Sequence, residues 1–291
     1  MQRMGLSRNS LYFSLLVCLA ANVFAAPATD TETRRELDSE YIAEVENPKN
    51  EVTDKVLHAE PLYIDLIRDL GARAGELEVN LGYGVQDKRE FARFDYLAEI
   101  EWAPINRLGI ELELPFSQTT QYAERTLDQP RADGLNSVKA ATQYTFLLSE
   151  RYATSAAVGY LHEFLRAPAI ADNTQTGFIG NLYNPFFVVA HRWSNNWHTL
   201  LYAGPRHTAA PESYTSWENN LSFHYMLSGT RHFIGLEMNQ EIANRRSTIT
   251  FRPQIRLQLS HNLLIGLVAG LPDNMRRNGM STFVRLIYEL S

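Results

Sequence analysis

Glutamates recur two residues apart in three segments of the chain: Glu76 and Glu78, Glu99 and Glu101, Glu111 and Glu113. Arginines occur later at twice that spacing, with Arg252 and Arg256 on one alternating row, and Arg285 stands four residues before Glu289 in the final segment. Carboxylates at this spacing share one face of an extended strand. Packed together they repel, so they require arginine partners, water or cations. The chemistry this allows is charge selection along a passage or a stiff internal salt-bridge network. A second set of chemical residue types lies in His191-Arg192-Trp193-Ser194-Asn195-Asn196-Trp197-His198. A lipid hydrolase would need such a serine and histidine within hydrogen-bond reach on a lipid-accessible face. The segment reads instead as a turn. His162 and His224 stand alone within strand patterns, and H-E-x-x-H, G-x-S-x-G and phosphate-loop signatures are missing from the sequence. No catalytic residue, metal ligand set or cofactor is assigned from sequence.

The elements that position these charges are strands. In residues 76–85, Leu77, Val79, Leu81, Tyr83 and Val85 alternate with polar or small residues. The clearest case is residues 248–259, where Ile249, Phe251, Pro253, Ile255, Leu257 and Leu259 alternate with Thr248, Thr250, Arg252, Gln254, Arg256 and Gln258. This period of two predicts about twelve strands: 76–85, 93–102, 107–116, 136–148, 152–164, 182–193, 198–205, 216–227, 231–242, 248–259, 263–271 and 281–290. Residues 184–191, inside the sixth of these, are apolar on both faces, which makes the sixth and seventh strands the least sharply marked. Short links alternate with longer ones, as in transmembrane barrels rather than soluble sandwiches. The fold class expected is all-β, a closed antiparallel transmembrane β-barrel over residues 76–291. The apolar faces then meet lipid, and the lumen receives Glu76, Glu78, Glu99, Glu101, Glu111, Glu113, Arg252, Arg256, Arg285 and Glu289. Aromatic girdles are expected from Trp102, Tyr152, Trp193, Trp197 and Tyr288 at one rim, and Tyr83, Phe116, Tyr202 and Trp217 at the other.

Residues 1–25 carry Arg3 and Arg8, an apolar run over 11–21, and Val23-Phe24-Ala25 before Ala26. This order predicts a cleaved secretory signal peptide and hence export to the outer membrane of a Gram-negative bacterium. Cys18 lies inside the apolar run in a poor context for lipidation, so the mature chain is expected to lack cysteine. Two of the 27 basic and none of the 33 acidic residues fall in that leader, leaving a mature charge of −8. No basic patch invites nucleic acid. Residues 26–57 are polar and acidic and predict a disordered periplasmic leader. In residues 58–75, Leu62, Leu66 and Leu70, with Tyr63 and Ile67 beside them, fall at helical spacing before Gly71. They predict a short amphipathic helix at the periplasmic mouth, or else a plug in the lumen.

HAEPLYIDLIRDLGARAGE at residues 58–76, NPFFVVAHRW and the closing RLIYE resemble a poorly characterised family of bacterial outer-membrane proteins, distantly similar to phenol-degradation MetA barrels. The resemblance implies a barrel and an outer-membrane location and transfers no substrate or catalytic residue. The partners expected are outer-membrane lipids, the barrel-assembly machinery during insertion, and small solutes. The function expected is a narrow passive channel or uptake pore. The alternatives are a structural or interaction barrel with a closed lumen and an outer-membrane lipid-modifying enzyme.

Overall fold

Alternation becomes architecture through an inversion of the usual burial rule. In Leu77–Asp87 the polar Asn80 is fully buried, while its neighbour Leu81 is 54% exposed. Such a strand is stable only if its outer face meets hydrocarbon and its inner face a polar interior. The computed structural model describes residues 31–47, 55–64, 66–88, 91–121, 133–167 and 177–290. The expected signal peptide lies outside the described residues.

The strands are β1 (Leu77–Asp87), β2 (Phe91–Ile105), β3 (Leu108–Gln121), β4 (Ser137–Ser149), β5 (Thr154–Arg166) and β6 (Phe178–Arg192). They continue as β7 (Trp197–Ala209), β8 (Tyr214–Met226), β9 (Phe233–Ala243), β10 (Arg246–Ser260), β11 (Leu263–Pro272) and β12 (Met280–Glu289). A two-residue piece, Gly134–Leu135, adds to β3 beside β4. Each strand pairs antiparallel with the next, and β12 returns to β1, from Glu78 opposite Glu289 to Asp87 opposite Met280. The ring is closed at twelve strands. Closure leaves no unpaired edge, which hydrocarbon would not tolerate.

Two-residue links show how the turns are made. Asn244 and Arg245 join β9 to β10 with φ of 50° and 61°, the left-handed pair that matches strand twist in a tight hairpin. Pro185 of β6 and Pro205 of β7 fall opposite each other, in a stretch where the paired register stops at Tyr183–His207 and resumes at Phe187–Ala203. Proline has no N–H to give a ladder. Asn184 bridges the gap by donating from Nδ2 to the Pro205 carbonyl at 2.9 Å.

The helix before the barrel sits earlier than its predicted place. The described residues of 58–75 form no helix; α1 is Thr31–Glu46, inside the stretch expected to be a disordered leader. Composition misled because α1 is held by tertiary bonds. The Asp38 carboxylate accepts from Asn196 Nδ2, Ser228 Oγ and Gly229 N in the short turns after β6 and β8. The Arg73 guanidinium donates to the Val45 and Glu46 carbonyls, a cation at the negative end of the helix. Tyr41, Ile42 and Val45 pack upward against the barrel's interior cluster. The helix therefore covers the short-turn mouth.

Candidate channel lumen and its plug

Residues 55–76 enter the barrel from its short-turn end, cross the lumen and return. His58 Nε2 lies 2.8 Å from Ser155 Oγ, near the start of β5. Farther in, Tyr63 stacks edge-on against Phe283, whose strand partner is Gly84, well along β1. The chain then comes back, and Gly71 N donates to Thr145 Oγ1 near the end of β4. Of the two placements open from sequence, the plug is the one observed.

The reason no helix forms is that the wall provides the acceptors a helix would otherwise supply. Ala59 N donates to His198 Nδ1, Leu62 N to Gln254 Oε1, and Ile64 N to Glu237 Oε1. Pro61 has no N–H to contribute. Every buried backbone donor needs a partner, and here polar lumen side chains serve. The leucines at helical spacing go to different walls. Leu62 joins Met226, Phe233, Leu264 and Val268, whereas Leu66, Ile67 and Leu70 join Phe186, Val188, Ala190 and Leu200. Two wall glycines make room: a Cβ on Gly109 would fall 2.5 Å from Arg68 Cβ, and one on Gly266 would fall 2.7 Å from Leu62 Cδ2.

Charges lock the returning arm. Arg68 Nη1 donates to Glu78 Oε2 at 2.6 Å and to Glu101 Oε2 at 3.3 Å. Lys55 Nζ reaches Asp69 at 2.8 Å and Glu76 at 3.2 Å. Burial disfavours the Arg68 charge, but Asp69, Glu78, Glu101 and Glu76 outweigh it and hold its pKa well above the ordinary value. Burial likewise opposes the Asp69 carboxylate, and Lys55 and Arg68 overcome it, keeping Asp69 well below the usual range. Glu60 goes the other way, raised by burial and then by neighbouring Asp69. Burial, followed by His198, Arg192 and His191, pushes His58 well below its ordinary value.

Beyond the plug lies a cavity of about 670 Å³ whose floor includes Tyr63, Ile64 and Ile67. A second of about 1010 Å³ shares Arg252, Thr250 and Ser281 with it and reaches residues 272–274 and 278–279 after β11. The Arg252 guanidinium stacks 3.3 Å over the Tyr63 ring while donating to Asn239 Oδ1, so the plug's tip is pinned by a cation–π contact.

Among the sequence-assigned lumen charges, Glu78, Glu99, Glu101, Glu111, Arg252, Arg256 and Arg285 are buried on the inner face, and Glu113 is half-buried beside them. Arg285 Nη2 bonds Glu99 Oε2 at 2.9 Å, joining the last strand to the second across β1. Glu76 precedes β1 at the mouth, and Glu289 is gripped by Arg231 there. Tyr83, Trp102, Phe116, Tyr152, Trp193, Trp197, Trp217 and Tyr288 are exposed on the outer side. Tyr202, assigned to the girdle, is a correction. It is 6% exposed, faces inward, stacks on Phe186 and donates to Asn184 Oδ1. The assignment failed because Leu200, Leu201, Ala203 and Gly204 around it in β7 carry no polar side chain, so alternation gave no side. Sequence reasoning missed Ser155, His198, Glu237 and Gln254 as plug-docking residues. Their one signal was polarity on inward positions.

The Ser194 and His191 side chains are separately engaged. Ser194 Oγ accepts from Trp197 N at 3.4 Å, and His191 Nδ1 contacts Thr154 Oγ1 at 2.8 Å. The nucleophile–base pair is not assembled there.

The sequence profile of the HAEPLYID-like proteins matches residues 54–289. The chain belongs to the HAEPLYID-like family. The family's name spells residues 58–65 of this chain, and residues 58–64 are the arm of the plug that enters the lumen. No curated protein matches this HAEPLYID-like chain in sequence. In structure it is similar to an outer-membrane channel from Pseudomonas putida F1, with a TM-score of 0.62, 10% identity, and coverage of 76% of this chain and 98% of that one. It is also similar to the KdgM porin, with a TM-score of 0.51, 14% identity, and coverage of 74% and 99%. At these identities the likeness is one of fold.

Proposed function

We propose that this HAEPLYID-like protein is an outer-membrane barrel that passes small solutes through a narrow lumen, and that residues 55–76 gate it. The observation that carries the reading is the charged cavity of about 670 Å³ that ends on the floor formed by Tyr63, Ile64 and Ile67. Side chains alone fill a barrel of about eight strands. In this wider ring a separate segment occupies part of the lumen, held by hydrogen bonds to the wall that can exchange with water. The channel and porin of similar fold support the same reading. Export by a signal peptide cut after residue 25, insertion by the barrel-assembly machinery and a lipid-facing outer surface complete the proposal. The lumen charges Glu99, Glu111, Glu113, Arg252 and Arg285 would bias which ions enter.

The test is single-channel conductance of the full mature chain in planar bilayers. Brief, small openings from a mostly closed state are expected. A second reading, a barrel sealed for good, draws on the ring of plug-to-wall hydrogen bonds; it predicts no current under any condition that leaves the barrel folded.

A further inference from the structure

Among the described residues, one carboxylate in the cavity wall is left without a cationic partner. Glu99 of β2 lies directly opposite Glu113 of β3, and Glu101 opposite Glu111. Oxygens of Glu99, Glu111 and Glu113 come within 4.8 Å of one another. Like charges facing across a ladder are destabilising, and two of the three are answered. Arg285 Nη2 and Asn80 Nδ2 bond Glu99, and Lys139 Nζ bonds Glu113 at 2.6 Å. Glu111 is not answered. It is 8% exposed, and its Oε1 is fully buried with no hydrogen-bond partner among the described residues. Three carboxylates against Arg285 and Lys139 leave one negative charge uncancelled.

We propose that Glu99, Glu111 and Glu113 form a binding site for a hard divalent cation of the calcium type. The geometry and the chemistry agree. Calcium takes carboxylate oxygens at about 2.3–2.6 Å, so oxygens sharing one ion stand no farther apart than roughly twice that, which is the spread found here. Carboxylates with waters are the donor set of hard cations, whereas soft or imidazole-preferring metals would want sulfur or histidine. All three glutamates line the cavity above the plug, so an ion reaches them from the lumen and water from the cavity completes its shell. Arg285 Nη2 lies between both oxygens of Glu99, and Lys139 takes Oε1 of Glu113, so an ion would bind Glu111 and share the lone pairs that Glu99 and Glu113 have left. The ion removes the cost of the unanswered carboxylate. The site stands whether or not the barrel conducts.

Calcium titration of the full mature chain, folded in detergent and stripped with EDTA, tests this by calorimetry and by thermal unfolding in parallel. Saturable binding of one ion and a higher unfolding midpoint are expected, with no such rise from sodium at equal ionic strength. Glu111→Gln removes the uncancelled charge, so its unfolding midpoint without calcium should equal or exceed that of the parent. Its calcium affinity should fall at least tenfold. Glu241→Gln, in the same cavity but outside the cluster, should keep the parental affinity. Absence of saturable calcium binding by the parent chain would overturn the site, as would unchanged affinity in a folded Glu111→Gln variant. A result of that kind would mean that Glu111 is held as a neutral acid.

Discussion

Arg68 of the plug and Glu78 of β1 are joined at 2.6 Å, only ten residues apart in the chain but on opposite sides of the boundary between the plug and the barrel wall. Glu101 accepts from the same guanidinium nitrogen. Burying a charge is tolerable only when it is paired, and removing one partner of a buried pair costs about 3–5 kcal/mol because the other is left alone. Arg68→Ala should therefore release the returning arm. Open probability in bilayers is expected to rise at least tenfold with barrel assembly intact. Unchanged gating in a folded variant would show that this pair does not hold the plug.

The plug was only half legible in the sequence, for a physical reason. Strand number, order and the inward row from Glu78 to Arg285 follow from period two, because lipid outside and polar groups inside enforce it residue by residue. Leu62, Leu66 and Leu70 gave helical spacing, yet they serve two different walls, and spacing cannot tell one face from two. The clue lay elsewhere. Residues 184–191 are apolar on both faces because Phe186, Val188 and Ala190 meet Leu66, Ile67 and Leu70 of the plug rather than water. A barrel strand with no polar face signals something apolar in the lumen. Helix α1 gave no such clue, because its stability comes from Asp38, Glu46 and Arg73 contacts distant in sequence.

Protonation of His58 should favour release of the plug. His58 is held well below its ordinary value in the docked plug, by burial first and then by His198, Arg192 and His191. Released into water it returns to about 6.5. At His58 the docked state thus binds fewer protons than the released one. The His58 contribution to docking is fully present above pH ~6.5 and declines as pH falls below that value, whereas Glu60, raised by burial and Asp69, contributes with the opposite sign. Open probability is measured from pH 8 to 5 in the parent and in His58→Gln, which keeps a neutral partner for Ser155. Glu60 is common to both chains, so relative to pH 8 the parent should open more at the acid end than the variant. An identical profile in the two, or a larger acid rise in the variant, would count against the assignment.

Ion preference should follow the wall charges. Arg285 answers Glu99, and Arg252 sits over Tyr63 at the floor of the cavity. Neutralising Arg252, Arg256 and Arg285 together leaves the lumen more acidic, so the reversal potential in a salt gradient should move toward cation selectivity. Unaltered reversal potentials would remove these residues from the selectivity account.

The central claim is that residues 55–76 must leave their seat for solute to pass. Leu62 Cγ, where a cysteine sulfur would stand, lies 3.2 Å from the position a Cβ would take on Gly266, close enough for a second sulfur on that Cβ to complete an S–S bond of about 2.05 Å. The one natural cysteine, Cys18, is in the expected signal peptide, so a Leu62→Cys, Gly266→Cys chain would carry a single engineered pair. Conductance of this variant, oxidised and then reduced in the same bilayer, is the most direct measurement. The account predicts silence when oxidised and recovery of openings after reduction. Equal conductance in both states, with the bond verified by mass, would contradict it.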